Sequence, residues 1–285
     1  MNDHSLETPS GKSAATENFP VGSLLIARPL RPHVAAYYAF ARAIDDIADN
    51  PALDAEEKLR RLDLMELALT GVLGRKEKYA TAINLRDRLL ETNVPFSTAL
   101  DLISAFRQDA EKGRYRDWGE LMDYCDRSAA PVGRFLLHLH GETEQAAFAA
   151  SDALCKALQV INHLQDCRDD CRELDRIYLP LEWMEQAGAD VSMLEGAEAP
   201  PPLRAVLDRC IAASRELMEQ ARPLPGLLKS RRLAMEAAVI VEVADALLDE
   251  LAERDPLRER VKLTKAQYAG CLLRGVWKAL KGGYR

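Results

Sequence analysis

The sequence predicts an all-α protein, and three observations support this fold class. Apolar residues recur every three or four positions through almost all of the 285 residues, which is the spacing of one helix face. No segment shows the convincing alternation of apolar and polar residues that is typical of a half-buried strand. Residues 144–172 contain neither proline nor glycine, as a long helix requires.

The individual helices follow from this periodicity and from the residues that interrupt it. Asp54, with Glu57 three residues later, forms a capping signature that begins the second helix. Glycine, asparagine or proline interrupts the pattern near residues 71–74, 93–95 and 112–113, and residues 187–202 predict a surface loop. The predicted helices span residues 32–49, 55–72, 78–91, 96–111, 117–140, 144–172, 202–221, 230–253 and 264–279.

The domain organisation predicted from composition is simple. Residues 1–16 are polar and rich in Ser, Thr and Glu, so we expect a disordered leader. Residues 17–285 then form a single domain, since the chain shows no internal repeat. No apolar stretch approaches 18 residues, so we expect no transmembrane helix. If the substrate is a lipid, the protein would therefore have to contact the membrane from its side.

The charge balance and the missing motifs exclude several functions. A net charge of −7 is unlike the basic footprint of a nucleic-acid-binding protein. The chain has no glycine-rich phosphate motif, so we expect no bound dinucleotide and no NADPH. Six cysteines have no accompanying Cys-His framework, which predicts reduced thiols in a cytoplasmic protein.

An acidic cluster ends the first predicted helix. Asp45 and Asp49 share a helix face, Asp46 lies beside them, and Arg42 lies one turn earlier. The helix dipole disfavours carboxylates at a C-terminus, and the preceding residues are strongly apolar. A solvated helix end would have a similar sequence, but the apolar context favours a site that binds a cation.

A second polar cluster lies in the predicted helix 144–172. Asn162, Asp166 and Asp170 are spaced to share one face, and Gln159 precedes them. A buried polar network would explain the amides, whereas a wall of oxygen ligands would explain the amides and the carboxylates together. Hard oxygen ligands on two helices favour Mg²⁺, which shares its coordination shell with substrate phosphates.

The histidines and aromatic residues are weaker signals. His163 is best explained as a packing residue, and His138 and His140 do not face each other on a helix. Most of the aromatic residues are expected to lie in the hydrophobic core. Tyr178 follows the second cluster closely, and its ring could stabilise a carbocation by about 0.5–2 kcal/mol.

Three blocks together resemble the squalene/phytoene synthase family over about residues 17–280. The blocks are Arg42-x-x-Asp45-Asp46-x-x-Asp49, Gln159-x-x-Asn162-x-x-x-Asp166-x-x-x-Asp170, and Arg176-Ile177-Tyr178-Leu179-Pro180. The resemblance implies a helical isoprenoid-synthase fold with a central cavity between the two Asp-rich helices.

Within this family, residues 17–21, 31–33, 49–53 and 128–133 are most similar to the bacterial hydroxysqualene synthase branch. That branch makes hydroxysqualene from presqualene diphosphate and water, without a reductant, in squalene and hopanoid formation. Asp126 departs from the family, whose members often carry an aromatic residue there.

The resemblance also implies roles for individual residues. Catalytic roles fall to Arg42, Tyr38 and Tyr178, and substrate binding to Arg42, Gln159, Arg176, Phe19 and Ser128. Several Mg²⁺ ions that bridge to the substrate diphosphate would be held by Asp45, Asp46, Asp49, Asn162, Asp166, Asp169 and Asp170. Tyr38, Ser128 and Tyr178 are the candidates for aiming the water.

Other functions stay open at this stage. The chain could instead join two farnesyl diphosphates to presqualene diphosphate, or two geranylgeranyl diphosphates to phytoene. A non-catalytic helical assembly factor is a third hypothesis, although such relatives typically lose the acidic motifs. The expected partners are a prenyl diphosphate, the neighbouring enzymes of the squalene pathway and the inner face of a membrane, with no nucleic acid.

Overall fold

A computed structural model describes residues 25–282, and these residues fold into helices. Within that range there is no β-strand, and the extended backbone pairs at a single isolated bridge between Arg114 and Ile177. The predicted all-α class is therefore confirmed. The proposed leader, residues 1–16, and Phe19 lie outside the described residues.

Thirteen α-helices are found between residues 25 and 282. In chain order, α1 to α13 are Arg31–Ala48, Ala55–Thr70, Ala80–Thr92, Ser97–Glu111, Trp118–Ser128, Ala130–Leu139, Gln145–Gln165, Cys167–Leu174, Leu181–Ala187, Pro201–Ala221, Leu224–Leu227, Arg231–Glu253 and Lys265–Lys281. Short 3-10 turns occupy Arg28–Leu30, Glu77–Tyr79 and Val191–Glu195.

The described chain divides into two compact units. The first contains residues 25–112 and 134–141, and the second contains residues 113–133 and 142–282. In the first unit α1 packs against α2, α3 and α4; in the second, α7 packs against α5, α10 and α12, and α12 packs against α13. The single domain from residue 17 to 285 stays a prediction.

The cores of both units are built from the predicted apolar faces. Phe40, Ile44 and Ile47 of α1 are fully buried, and α7 buries Ala157 and Ile161 completely. The capping signature at the start of α2 is confirmed, because the Asp54 carboxylate accepts a hydrogen bond from the Glu57 amide at 2.9 Å.

Two of the predicted long helices are each broken in two. The helix predicted at 117–140 stops at Ser128 and restarts at Ala130, with Ala129 at φ −121° and ψ −50°. Pro131 explains this break, since proline is tolerated only in the first turn of a helix. The helix predicted at 144–172 is interrupted at Asp166, where φ is −109° and ψ is 8°.

The predicted loop at 187–202 is correct in part, but a short helix precedes it. Helix α9 begins after Pro180 and ends at Ala187, and Gly188 caps it with a φ of 69° in the left-handed region. This helix is missing from the sequence-based assignment, although the proline and glycine that delimit it are the usual boundary signals.

Candidate active site

The first acidic cluster lies along one stripe of α1. Tyr38, Arg42, Asp45 and Asp49 follow each other at spacings of three and four residues, and each is half-buried. The fully buried Ile44 and Ile47 occupy the opposite side of the helix. The structure therefore brings these predicted residues onto one solvent-accessible face, as the sequence indicates.

Arg42 neutralises part of this cluster. Its guanidinium nitrogens lie 2.5 Å from Asp45 Oδ2 and 2.9 Å from Asp46 Oδ1. Asp49 is the C-cap of α1, and its amide donates to the Asp45 carbonyl at 2.9 Å. The carboxylates thus lie at the negative end of the helix dipole, where Arg42 offsets the unfavourable electrostatics.

The second cluster follows α7 across the break and into α8. Gln159, Asn162, Asp166 and Asp170 are half-buried, and Asp169 is exposed. Helical hydrogen bonding continues around the break, because the Asp166 amide donates to the Asn162 carbonyl at 3.0 Å and the Asp170 amide to the Asp166 carbonyl at 2.8 Å. The predicted face is consequently retained despite the interruption.

The interruption changes the electrostatics of this cluster. A second helix begins at Cys167, so Asp169 and Asp170 lie in the first turn of α8. Carboxylates are stabilised there by the positive end of the helix dipole. The second cluster therefore has a more favourable helix position than the first.

Arg260, which sequence reasoning missed, holds the carboxylate of Asp166. Its Nη2 donates to Asp166 Oδ2 at 2.7 Å, and its Nε lies 2.5 Å from Oδ1 without the alignment of a hydrogen bond. The connection between α12 and α13 is itself fastened to α7 and α8. The buried Gln165 amide donates to the Val261 carbonyl at 2.5 Å, and Arg168 donates to the Leu257 carbonyl.

The motif that contains Tyr178 is extended and buried. It runs alongside residues 113–116, where the Ile177 amide donates to the Gly113 carbonyl at 2.8 Å. Arg176 is only 6% exposed. This pairing holds the segment that contains Tyr178 beside residues 113–116.

Tyr178 belongs to a cluster of rings inside the second unit. The His163 ring stacks on it with centroids 3.6 Å apart, and Tyr115 and Tyr124 lie 5.5 and 5.8 Å away. Burial, assisted by the charge of Arg176, lowers the pKa of His163 to about 3. His163 is buried and stacked, as predicted for a packing residue, but its Nε2 has no hydrogen-bond partner among the described residues.

Ser128 and Asp126 lie near the end of α5. Ser128 is half-buried, and its hydroxyl oxygen has no hydrogen-bond partner among the described residues. Asp126 forms an ion pair with Lys156 of α7, with Oδ1 and Nζ 2.9 Å apart. The sequence did not reveal this charge pair.

The two clusters offer oxygen ligands of the kind that suits Mg²⁺. In the part of the chain that the structure describes, no three His, Cys, Asp or Glu side chains converge into a closed metal site. Mg²⁺ needs no such cage, because it keeps several waters and binds through one or two carboxylates together with substrate phosphates. The half-buried carboxylates of each cluster fit this mode of binding.

Comparisons with known proteins agree with this chemistry. A family model described as squalene/phytoene synthase matches residues 13–267. A hydroxysqualene synthase from Rhodopseudomonas palustris is 45% identical, covering 92% of this chain and 88% of its own length. Another, from Zymomonas mobilis, is 41% identical over 92% of this chain and 87% of its own. The crystal structure of squalene synthase HpnC from Alicyclobacillus acidocaldarius superposes with a TM-score of 0.70 at 33% identity, covering 80% of this chain and 85% of that one.

Proposed function

We propose that this chain, which belongs to the squalene/phytoene synthase family, converts presqualene diphosphate and water into hydroxysqualene and diphosphate. The observation that carries the proposal is the pair of half-buried acidic faces, on α1 and on α7–α8, in the motifs of this family. Relatives that are 41–45% identical over about nine tenths of the chain are named hydroxysqualene synthase.

The proposed ligands of Mg²⁺ are the oxygens of the two clusters. In the first unit these are Asp45, Asp46 and Asp49, and in the second unit Asn162, Asp166, Asp169 and Asp170. When bound, Mg²⁺ would act as a Lewis acid that neutralises the charge of the leaving diphosphate. Arg42 would add a permanent positive charge, and Gln159 and Arg176 would contribute polar contacts to the substrate.

Once the carbon–oxygen bond to diphosphate breaks, the remaining steps need a protected cation and one water molecule. The cyclopropylcarbinyl cation rearranges to an allylic cation, which water captures with loss of a proton. The ring of Tyr178, held by its stack with His163, is the proposed aromatic group for stabilising positive charge. Tyr38 and Ser128 are the proposed groups for orienting the water, and both are half-buried.

No hydride is transferred in this reaction, so the proposal includes no NADPH. Its substrate and product are lipids, and we therefore include peripheral contact with a membrane. Between residues 25 and 282 no helix combines the length and apolar character needed to cross a bilayer.

The decisive experiment is to incubate the purified protein with Mg²⁺ and presqualene diphosphate, without NADPH, and to analyse the extract by mass spectrometry. Parallel reactions would contain farnesyl or geranylgeranyl diphosphate. A hydroxylated C30 alcohol from presqualene diphosphate supports the proposal. Presqualene diphosphate or phytoene from the parallel reactions would replace it with a condensing activity, and no product from any substrate would favour a non-catalytic role.

A variant tests the role of the second cluster in the same assay. Asp166→Ala removes one proposed ligand, and we expect a loss of turnover of more than about a hundredfold with unchanged helix content. Asp249→Ala is the matched control, because Asp249 is an exposed aspartate of α12 paired only at the surface with Arg215. Activity of Asp166→Ala equal to that of the control would contradict the assignment.

A further inference from the structure

Helix α13 carries an apolar stripe on its exposed side. Leu273, Trp277 and Leu280 are 71%, 57% and 73% exposed, and they follow each other at spacings of four and three residues. Ala266 and Ala269 continue the stripe toward the start of the helix and are also exposed. The exposed apolar face therefore runs the length of α13.

The opposite side of α13 is firmly packed on α12. Cys271 and Gly275 are buried there, and a Cβ on Gly275 would lie 2.7 Å from the backbone of Val239. Arg274 and Lys278 reach the nearly buried Glu242 at 3.0 and 2.5 Å. Since this side already has a partner, the apolar stripe is held outward in a fixed orientation.

The charge of α13 differs from that of the whole chain. The helix has four basic residues and no acidic one, whereas the chain has a net charge of −7. Arg274 and Lys278 pair with Glu242, while Lys265 and Lys281 are exposed. Lys281 lies with its Nζ 4.3 Å from the centroid of the Trp277 ring, beside the stripe. A basic helix with tryptophan and leucine on one face is typical of helices that lie in the interface of an anionic membrane.

We propose that the face formed by Leu273, Trp277 and Leu280 docks this protein onto the surface of an anionic lipid bilayer. The leucines and the indole would enter the boundary between headgroups and acyl chains, while Lys281 stays at the level of the phosphates. This surface adds a defined location to the membrane contact included in the proposed function. No residue of the acidic clusters belongs to this face.

A neighbouring cavity supports a lipid as the occupant. It has a volume of about 400 Å³, and Leu228, Met235 and Leu280 contribute apolar side chains to its lining. The cavity therefore lies beside the last exposed leucine of the stripe. Arg231 and Lys281 also line the cavity, so it offers an anionic lipid both apolar and basic contacts.

A second copy of the chain explains the face less well. A two-fold symmetric contact would place the same patch on both sides and would bring no carboxylate of α13 toward Lys281, because α13 has no acidic residue. An anionic bilayer has the opposite charge and would attract Lys281, which lies beside the stripe. Charge complementarity thus favours lipid over self-association.

The test is sedimentation of the full-length protein with phosphatidylcholine vesicles, with and without phosphatidylglycerol, in the absence of substrate. We expect binding that increases with the anionic lipid and decreases at high salt. The double variant Leu273→Glu/Leu280→Glu should weaken binding by roughly tenfold or more, because it removes two large side chains from the docking face.

The matched control is Val72→Glu/Leu90→Glu, which makes the same change in charge at two exposed apolar residues of the first unit, 71% and 55% exposed. It should bind vesicles as strongly as the unmodified protein, because its α13 face is intact. Equal binding by the two double variants, or no binding by the unmodified protein, would overturn the proposal. A stable dimer that only Leu273→Glu/Leu280→Glu dissociates would assign the face to a second copy. Because no substrate is used, a failure here is distinguishable from a failure of the proposed reaction.

Discussion

Replacing Arg260 tests whether the orientation of Asp166 matters for the proposed reaction. Arg260 provides one aligned hydrogen bond of 2.7 Å and a second nitrogen–oxygen contact of 2.5 Å to the same carboxylate. Arg260→Gln keeps a polar side chain of similar reach but removes the positive charge. The Asp166 carboxylate would then lose the contacts with Arg260 that help to orient it and that offset part of its negative charge.

The expected effects on stability and on activity differ in size. Both side chains are about one third exposed, so solvent screens the pair and its loss should cost only about 1 kcal/mol of folding free energy. A group that orients a metal ligand typically affects metal affinity or activity by about ten- to a hundredfold. We therefore expect a small change in Tm but a large change in the Mg²⁺ dependence of turnover.

The assay is product formation from presqualene diphosphate over a titration of Mg²⁺, with thermal unfolding measured in parallel. Arg260→Lys should recover part of the activity, because it restores the charge without the fork of the guanidinium. Arg258→Gln is the matched control, since Arg258 pairs with Glu198 where both side chains are more than 60% exposed. If Arg260→Gln and Arg258→Gln have the same Mg²⁺ dependence, the positioning role of Arg260 is refuted.

Two further predictions concern the second unit. The pKa of His163 is about 3 in the folded protein against an ordinary value of 6.5, so between these pH values the unfolded chain binds a proton that the folded protein does not. The free energy of unfolding should therefore fall by up to about 1.4 kcal/mol per pH unit as the pH decreases through this window. His163→Phe should reduce this pH dependence in urea unfolding measured across the same window. Gly275→Ala should destabilise the packing of α13 on α12 by about 1–3 kcal/mol, because the new methyl group would overlap the Val239 backbone. Gly270→Ala is the control, since a Cβ there would meet only the Arg274 side chain at 3.3 Å, and it should cost less in the same unfolding measurement.

The helices and the acidic faces were predictable because they depend on local periodicity. Asp45 and Asp49 share a face through spacing alone, and the structure retains that face. The capping of α2 by Asp54 is also local, since donor and acceptor are three residues apart. Features that are encoded within one or two helical turns could therefore be assigned from the sequence.

The compensating charges were not predictable, because they come from distant positions. Arg260 is 94 residues from Asp166, and no spacing rule connects them. Lys156 reaches Asp126 from another helix, and His163 stacks on Tyr178 only because the extended segment returns beside α7. Tertiary contacts of this kind require the fold before the pairs can be named.

The break at Asp166 shows how the chain stabilises carboxylates that would be unfavourable near the C-terminus of an unbroken helix. An unbroken helix through residue 172 would place Asp166 and Asp170 near its negative end, as α1 does with Asp45 and Asp49. By restarting the helix at Cys167, the chain instead places Asp169 and Asp170 at a positive end. The first cluster has no such restart and depends on Arg42 one turn earlier. The protein thus offsets the negative charge of the two clusters by different means, so that the arrangement of each does not depend on a metal ion alone.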